Sequence, residues 1–145
     1  DGMAVARSIA LISYRGGAAY NATQQDENPA EASFTRRAHS YQQYQGEKLR
    51  RRFNALSYYR LSEAVDSHNI ARGRGSIAEA LRKIEARTLV VAISSDILFP
   101  VEAHTPLREH IANVEYHLIE SEFGHDGFLV EHEKLNTIIK NFCTN

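Results

Sequence analysis

One short run constrains the fold of this chain more than any other feature. The run is Thr-Leu-Val-Val-Ala-Ile, at residues 88–93. It is continuous, rich in β-branched side chains and bounded by turn signals, which is typical of a strand buried on both faces. A helical segment over about residues 101–111 separates it from a second β-favouring segment at residues 114–119. Strand, helix and strand in this order predict two parallel strands joined by a right-handed crossover.

Further helices are predicted before and after these strands. Ser76 with Glu79 three residues later is a capping box, the pattern that opens a helix. The apolar face of that helix is predicted to be Ile77, Ala80, Leu81 and Ile84. A last helix is predicted over about residues 127–142. Its inner side is predicted to be Phe128, Leu135, Ile138, Ile139 and Phe142.

The first seventy residues carry helical rather than strand patterns. Apolar spacing predicts a largely buried helix over residues 3–13, ending before Gly16-Gly17. Residues 18–40 are polar and predict a surface excursion with one short helix near residues 29–32. From residue 40 to residue 66 helical spacing returns twice, which predicts two helices with a bend at Gly46.

Two strands are too few for a parallel sheet, which needs both faces covered and neighbours at its edges. Either the first seventy residues contain strands that the pattern does not reveal, or the remaining strands lie on a missing segment or another chain. The sequence begins at Asp1-Gly2 without a Met, and residues 3–10 already read as a helix in progress. We therefore expect the chain to be a piece of something longer.

Composition excludes several classes of function. Seventeen Lys and Arg against eighteen Asp and Glu give a net charge of −1, which argues against nucleic acid or anionic lipid as a partner. The single Cys143 forms neither an internal disulfide nor a thiolate zinc site, and the other histidines lack metal-ligand spacing, so no metal is expected. No apolar run approaches the ~20 residues that cross a bilayer. With no targeting segment in view, a cytoplasmic setting is the default expectation.

Asp96 and His125 are the candidate catalytic pair, because each directly follows a predicted strand. In doubly wound sheets the reactive groups gather at the carboxyl ends of the strands, so these two side chains can meet. A carboxylate at one imidazole nitrogen fixes the tautomer and stabilises the imidazolium. The alternative is structural, since aspartate often caps the helix after a strand and His125 is one of seven histidines. The order acid then histidine favours catalysis, although no G-x-S-x-G nucleophile motif is present.

The segments around this pair resemble a known family. Ser-Ser-Asp-Ile-Leu-Phe-Pro at residues 94–100 and Gly-His-Asp-Gly-Phe-Leu at residues 124–129 closely resemble the acid and histidine motifs of the homoserine O-acetyltransferases. These enzymes are members of the α/β-hydrolase superfamily. Residues 4–15 look like the first lid helix of the family, and matches at Tyr44-Gln-Gly46, Arg52-Phe53 and residues 71–75 follow in the expected order.

The resemblance implies an α/β fold that is the carboxy-terminal portion of an α/β-hydrolase, two parallel strands with flanking helices, plus a helical lid. Residues 1–70 would form the lid region and residues 71–145 the carboxy-terminal part of the core. The family implies a chain more than twice as long. Its amino-terminal half would supply most of the sheet, the oxyanion donors and the serine nucleophile.

Carried over residue by residue, the resemblance makes Asp96 the orienting acid and His125 the general base and acid. Arg7 and Tyr14 match lid positions that line the substrate pocket, where a guanidinium can hold a carboxylate by two hydrogen bonds. Asp126 would bind the substrate ammonium group. The structural alternative is that Arg7 and Tyr14, seven residues apart on one helical face, are an ordinary packed pair.

The implied reaction is transfer of an acetyl group from acetyl-CoA to the hydroxyl of L-homoserine, a step of methionine biosynthesis. Acetyl-CoA is then a substrate, and no permanently bound cofactor is expected. The expected partners are the missing amino-terminal half of the same enzyme and a second copy in a homodimer. Open alternatives are succinyl transfer, a serine acceptor, ester hydrolysis, or an inactive fragment that acts only as an interaction module.

Overall fold

The computed structural model describes residues 1–28 and 36–144, which form two compact units. The first unit comprises Asp1–Ser13 and Gly17–His68. The second comprises Tyr14–Gly16 and the chain from Asn69 onward. The short helix predicted near residues 29–32 lies outside the described residues. The assignment of the two units as lid and core stays a prediction.

The first unit is helical. Its helices are α1 (Gly2–Ala10), α2 (Gly17–Gln24), α3 (Arg37–Arg52) and α4 (Ala55–Asp66), with a 3-10 turn at Leu11–Ser13 after α1. The predicted helix over residues 3–13 is thus confirmed, with a tighter last turn. The prediction that this helix is largely buried is wrong, because no residue of α1 is buried and Ile9 and Ile12 are exposed. Among the described residues of the first seventy there is no strand, so the alternative of hidden strands is wrong for that part of the chain.

Helices α1 and α3 contact each other at Gly46, which is buried in the middle of α3. A Cβ at Gly46 would lie 2.6 Å from the carbonyl oxygen of Ala4, so only glycine allows this approach. The Ser8 hydroxyl donates to the Gln42 carbonyl across the same contact, at 3.0 Å. Helix α3 runs through Gly46 without interruption, and the two predicted helices separate at Phe53.

Helix α2 was not predicted. Residues 18–40 show no apolar period, and only Ala19 of α2 is buried. The helix instead depends on a tertiary contact, in which the ring of Tyr20 meets that of Tyr41 on α3 edge to face with centroids 6.2 Å apart. A contact of this kind leaves no amphipathic pattern in the sequence.

The second unit contains both strands. In chain order its elements are α5 (Ile77–Leu81), β1 (Thr88–Ile93), a 3-10 turn (Val101–His104), α6 (Thr105–His110), β2 (Val114–Ile119), a second 3-10 turn (Gly124–Asp126), α7 (Gly127–Val130) and α8 (His132–Thr144). The capping box is present, since Ser76 accepts from the Glu79 N–H and the Glu79 carboxylate accepts from the Ser76 N–H. Both strands have the predicted bounds.

The strands are parallel, with Thr88 opposite Val114 and Ile93 opposite Ile119. The buried core of this unit consists of Ala80, Leu81, Val90, Ala92, Ile93, Ile111 and Ile119. The prediction of two parallel strands with flanking helices is therefore confirmed. Because the two strands are paired along their whole length and end opposite each other, the residues that follow them lie at the same edge of the sheet.

The last predicted helix is divided in two. Glu131 leaves the helical backbone conformation (φ −81°, ψ 37°), and its carboxylate pairs with Lys134 at 2.8 Å. The predicted inner faces are wrong in part, because Phe128, Ile139 and also Ile77 of α5 are exposed. Helix α8 instead contacts the rest of the unit at its C-terminal end, where the Arg87 guanidinium lies 4.1 Å from the centroid of the Phe142 ring.

Among the helices of the described ranges, none is long and apolar enough to cross a membrane.

Candidate active site

Asp96 lies three residues beyond the end of β1 and is only 8% exposed. Its Oδ1 accepts hydrogen bonds from the backbone N–H groups of Leu98 and Phe99, at 2.8 and 2.9 Å. Its Oδ2 lies 2.8 Å from Nδ1 of His125. The contact that strand order predicted is therefore present, and both carboxylate oxygens have partners.

The carboxyl of Asp96 has a pKa below its ordinary value. Burial raises this pKa, but the hydrogen bonds from the Phe99 N–H, the His125 ring and the Leu98 N–H lower it by more. Asp96 is thus ionised at neutral pH and accepts hydrogen bonds only. We therefore assign the shared proton to Nδ1 of His125, which leaves Nε2 as the nitrogen that can take up a proton.

His125 lies in a 3-10 turn, Gly124–Asp126, beyond the end of β2. Gly124 has a φ of +66°, a conformation that favours glycine. A Cβ at Gly124 would lie 2.4 Å from the backbone nitrogen of Gly16, so the turn rests directly on the Tyr14–Gly16 segment. The Asp126 N–H donates to the Tyr14 carbonyl at 2.9 Å across the same contact.

Three aromatic rings meet the His125 imidazole edge to face. Their centroids lie 5.5 Å (Tyr14), 5.3 Å (Phe99) and 5.5 Å (Phe128) from that of the imidazole. The sequence predicted Tyr14 as a site residue but neither phenylalanine. Phe99 follows Asp96 by three residues, and Phe128 follows His125 by three residues. Together the rings restrict the orientation of the imidazole on its apolar side.

Asp126 has a cationic neighbour that the sequence did not identify. Its Oδ2 lies 3.6 Å from Nε of Arg15, and both side chains are partly exposed. Because Arg15 directly follows the site candidate Tyr14 in the sequence, it could have been proposed as a further site residue. The structure thus brings Tyr14, Asp96, His125 and Asp126 together in one unit and adds Arg15 to them.

Arg7 is placed differently from the other candidates. It lies on α1 in the first unit, whereas Tyr14 belongs to the second. The prediction that the two share one helical face is wrong, because α1 ends at Ala10 and a 3-10 turn intervenes. The pocket role of Arg7 stays a prediction.

Two serines link the acid loop, residues 94–100 after β1, to the histidine loop, residues 120–126 between β2 and α7. The Ser95 hydroxyl accepts from the N–H of Gly124 at 2.9 Å. The Ser94 hydroxyl accepts from the N–H of Ser121 at 3.1 Å and donates to the Ser121 carbonyl at 3.4 Å. Neither serine was a candidate from the sequence, although both directly precede Asp96.

Comparisons with known sequences give consistent relatives. No protein-family model matches the chain. It is 40% identical over 141 residues to a homoserine O-acetyltransferase of Cyclobacterium marinum, which covers 97% of this chain and 40% of that protein. A homoserine O-acetyltransferase of Chloroherpeton thalassium is 38% identical over 142 residues, covering 98% of this chain and 37% of that protein. The chain thus spans about two fifths of the length of the curated relatives that it matches.

Two solved structures share the fold. A homoserine O-acetyltransferase from Bacillus anthracis superposes with a TM-score of 0.83 at 22% identity, covering 99% of this chain and 41% of that one. Esterase E22 superposes with a TM-score of 0.77 at 16% identity, covering 97% of this chain and 41% of that one. Both have the α/β-hydrolase fold, and the predicted fold class is confirmed.

Proposed function

The chain belongs to the homoserine O-acetyltransferase family as a homologue of the carboxy-terminal part of these proteins, and from that premise we propose that it supplies the acid and the histidine of an acyl-transfer site. The observation that supports the proposal most is the 2.8 Å contact between Asp96 Oδ2 and His125 Nδ1, at the carboxyl ends of adjacent parallel strands. The proposed reaction moves an acetyl group from acetyl-CoA to the hydroxyl of L-homoserine, in methionine biosynthesis.

The first proposed step forms an acyl-enzyme. A serine from the amino-terminal part of the same enzyme loses its hydroxyl proton to Nε2 of His125, and its oxygen attacks the thioester carbonyl of acetyl-CoA. The tetrahedral intermediate collapses with loss of the CoA sulfur, which takes the proton from the imidazolium. Asp96 stabilises the imidazolium while it exists and holds the ring with Nε2 toward the reacting atoms.

The second proposed step transfers the acetyl group. Nε2 of His125 takes the proton of the homoserine hydroxyl, whose oxygen attacks the acyl-serine. The serine oxygen leaves with that proton, so the enzyme returns to its starting state. Water would compete as the attacking group, and the rings of Tyr14, Phe99 and Phe128 reduce its access to the imidazole.

The acceptor is proposed to be bound by complementary charges. Asp126 would take the ammonium group of homoserine, and Arg7 its carboxylate, with Tyr14 lining the pocket. The Arg15 guanidinium beside Asp126 partly neutralises the negative charge of that carboxylate until the ammonium group of homoserine binds. An amino-acid acceptor therefore suits this site better than a neutral alcohol.

The test is a chimeric enzyme. The matched part of the Cyclobacterium marinum relative is replaced by this chain, so that the amino-terminal part of the relative supplies the serine. Release of CoA thiol is measured with acetyl-CoA and L-homoserine. His125→Ala should lower kcat by about 10³-fold or more. The matched control is His68→Ala, which removes an exposed histidine at the end of the first unit and should leave kcat unchanged.

The same chimera separates the alternatives. Acetyl-CoA consumed without L-homoserine indicates hydrolysis, whereas turnover with succinyl-CoA or L-serine indicates another donor or acceptor. The 145-residue chain alone should show no turnover with any of them. If the His125→Ala chimera keeps the activity of the unsubstituted one, the assignment of the acid and histidine is wrong.

A further inference from the structure

The backbone just before His125 is held by a side chain from the acid loop. Gly124 precedes His125 with a φ of +66° and is buried. Glycine has the widest choice of backbone conformations. The backbone at Gly124 therefore does not by itself fix the orientation of the next side chain, that of His125. Some other group has to hold the Gly124 peptide if the imidazole is to meet Asp96 in one orientation.

The Ser95 hydroxyl is placed to do this. It accepts the Gly124 N–H at 2.9 Å, while the next residue, Asp96, accepts the His125 ring at 2.8 Å. Two adjacent side chains of the acid loop thus bind two adjacent residues of the histidine loop, one at the backbone and one at the ring. We propose that Ser95 is a positioning residue, which fixes the backbone of Gly124 so that Nδ1 of His125 points at Asp96.

The opposite side of Gly124 supports this reading. Its Cα faces the backbone of Tyr14–Gly16 so closely that no Cβ fits. The turn is therefore limited on that side by steric contact and on the other by the Ser95 hydrogen bond. Loss of the hydroxyl would leave a buried N–H without its acceptor, and the turn would gain freedom to rotate.

Ser94 offers a matched control. Its hydroxyl also links the two loops, but it binds both backbone groups of Ser121, four residues before His125. A hydroxyl that merely ties the loops together would be equivalent at either position. A positioning role predicts that only Ser95 affects the imidazole.

The first measurement uses the 145-residue chain and needs no activity. Long-range ¹H–¹⁵N NMR of the histidine rings reports which nitrogen of His125 carries the proton, and His125→Gln identifies the signal. We expect the neutral ring of the unsubstituted chain to hold its proton on Nδ1. Ser95→Ala should shift it toward the Nε2–H tautomer that the side chain of free histidine favours, whereas Ser94→Ala should not. Ser95→Cys, a weaker acceptor of similar size, should give an intermediate ratio and decides the matter if Ser95→Ala does not fold.

The second measurement is kinetic, rests on the proposed function and uses the chimera described above. Misplacement of the imidazole should lower kcat by about 10- to 100-fold in Ser95→Ala while KM for homoserine changes little. Ser94→Ala should keep kcat.

The two measurements fail separately. An Nδ1–H tautomer retained in Ser95→Ala, or an equal shift in Ser94→Ala, would overturn the role of Ser95, as would an unchanged kcat in an active Ser95→Ala chimera. An inactive unsubstituted chimera, together with the expected tautomer shift in the chain, would instead overturn the proposed function and leave the role of Ser95 standing.

Discussion

The carboxylate of Asp96 makes the stability of the second unit depend on pH. Its pKa lies below the ordinary value of 3.8 in the folded chain, although burial opposes this, because the Phe99 N–H, the His125 ring and the Leu98 N–H bind the ionised form. The resulting stabilisation is fully present above pH 3.8 and is lost as the pH falls through the lower folded pKa. Stability therefore falls with decreasing pH, because the Asp96 carboxylate binds its proton more weakly in the folded chain than in the unfolded chain.

Asp96→Asn should therefore lower the free energy of unfolding by about 1–3 kcal/mol at neutral pH, and the difference should shrink as the pH falls below 3.8. Urea unfolding of both chains across that range measures it. Asp66→Asn, at the exposed end of α4, is the control and should show no such convergence. A difference that stays constant with pH would mean that Asp96 stabilises the loop through its shape alone.

At the same scale, the sequence predicted the pair but not its surroundings. Asp96 and His125 could be brought together on paper because parallel strands end at one edge of a sheet. The Ser95 hydrogen bond to Gly124 and the Arg15 contact with Asp126 could not, since each depends on how a loop folds back over another. Side-chain partners in loops are set by tertiary geometry, which no spacing rule encodes.

At the scale of elements, the crossing of α1 and α3 depends on one glycine. A Cβ at position 46 would meet the Ala4 carbonyl at 2.6 Å and the Ser8 hydroxyl oxygen at 2.9 Å. Gly46→Ala gains up to about 1 kcal/mol of helix propensity but must push the helices apart. We expect a net loss of about 1–3 kcal/mol, measured by urea unfolding.

Gly17→Ala is the matched control, because it adds the same methyl group at the first position of α2, where nothing lies within 4 Å. It should be neutral or stabilising. Equal effects of the two substitutions would show that α1 and α3 do not need their close approach.

Elements defined by local signals were predicted well, and those defined by contacts were not. The Ser76–Glu79 capping box and the strand Thr88–Ile93 depend on residues within a few positions, and both have the expected bounds. Helix α2 depends on the contact between Tyr20 and Tyr41, twenty-one positions apart, and was missed. The break at Glu131 was missed as well, because the apolar spacing continues across it.

At the scale of the whole molecule, the second unit exposes apolar side chains around the proposed site. Ile97 is 68% exposed, Phe99 54% and Leu129 63%, and all three follow the two strands. A sheet of two strands is marginal by itself, and both of its outer edges are open within the described residues. The composition of the chain could not reveal this, because it is that of an ordinary globular protein.

In the chimera, we expect the amino-terminal part of the relative to cover this surface, so that one substitution has a small effect in the 145-residue chain and a large effect in the chimera. Leu129→Ser should change the free energy of unfolding of the 145-residue chain by less than about 0.5 kcal/mol, because the side chain is 63% exposed. In the chimera the same change should cost about 2 kcal/mol or more, since a buried leucine is lost. Lys140→Ser, on the exposed face of α8, should be neutral in both. Thermal and urea unfolding of the unsubstituted chain and chimera and of the four variants give the comparison. A Leu129→Ser effect that is equally small in chain and chimera would mean that the amino-terminal part does not cover this face.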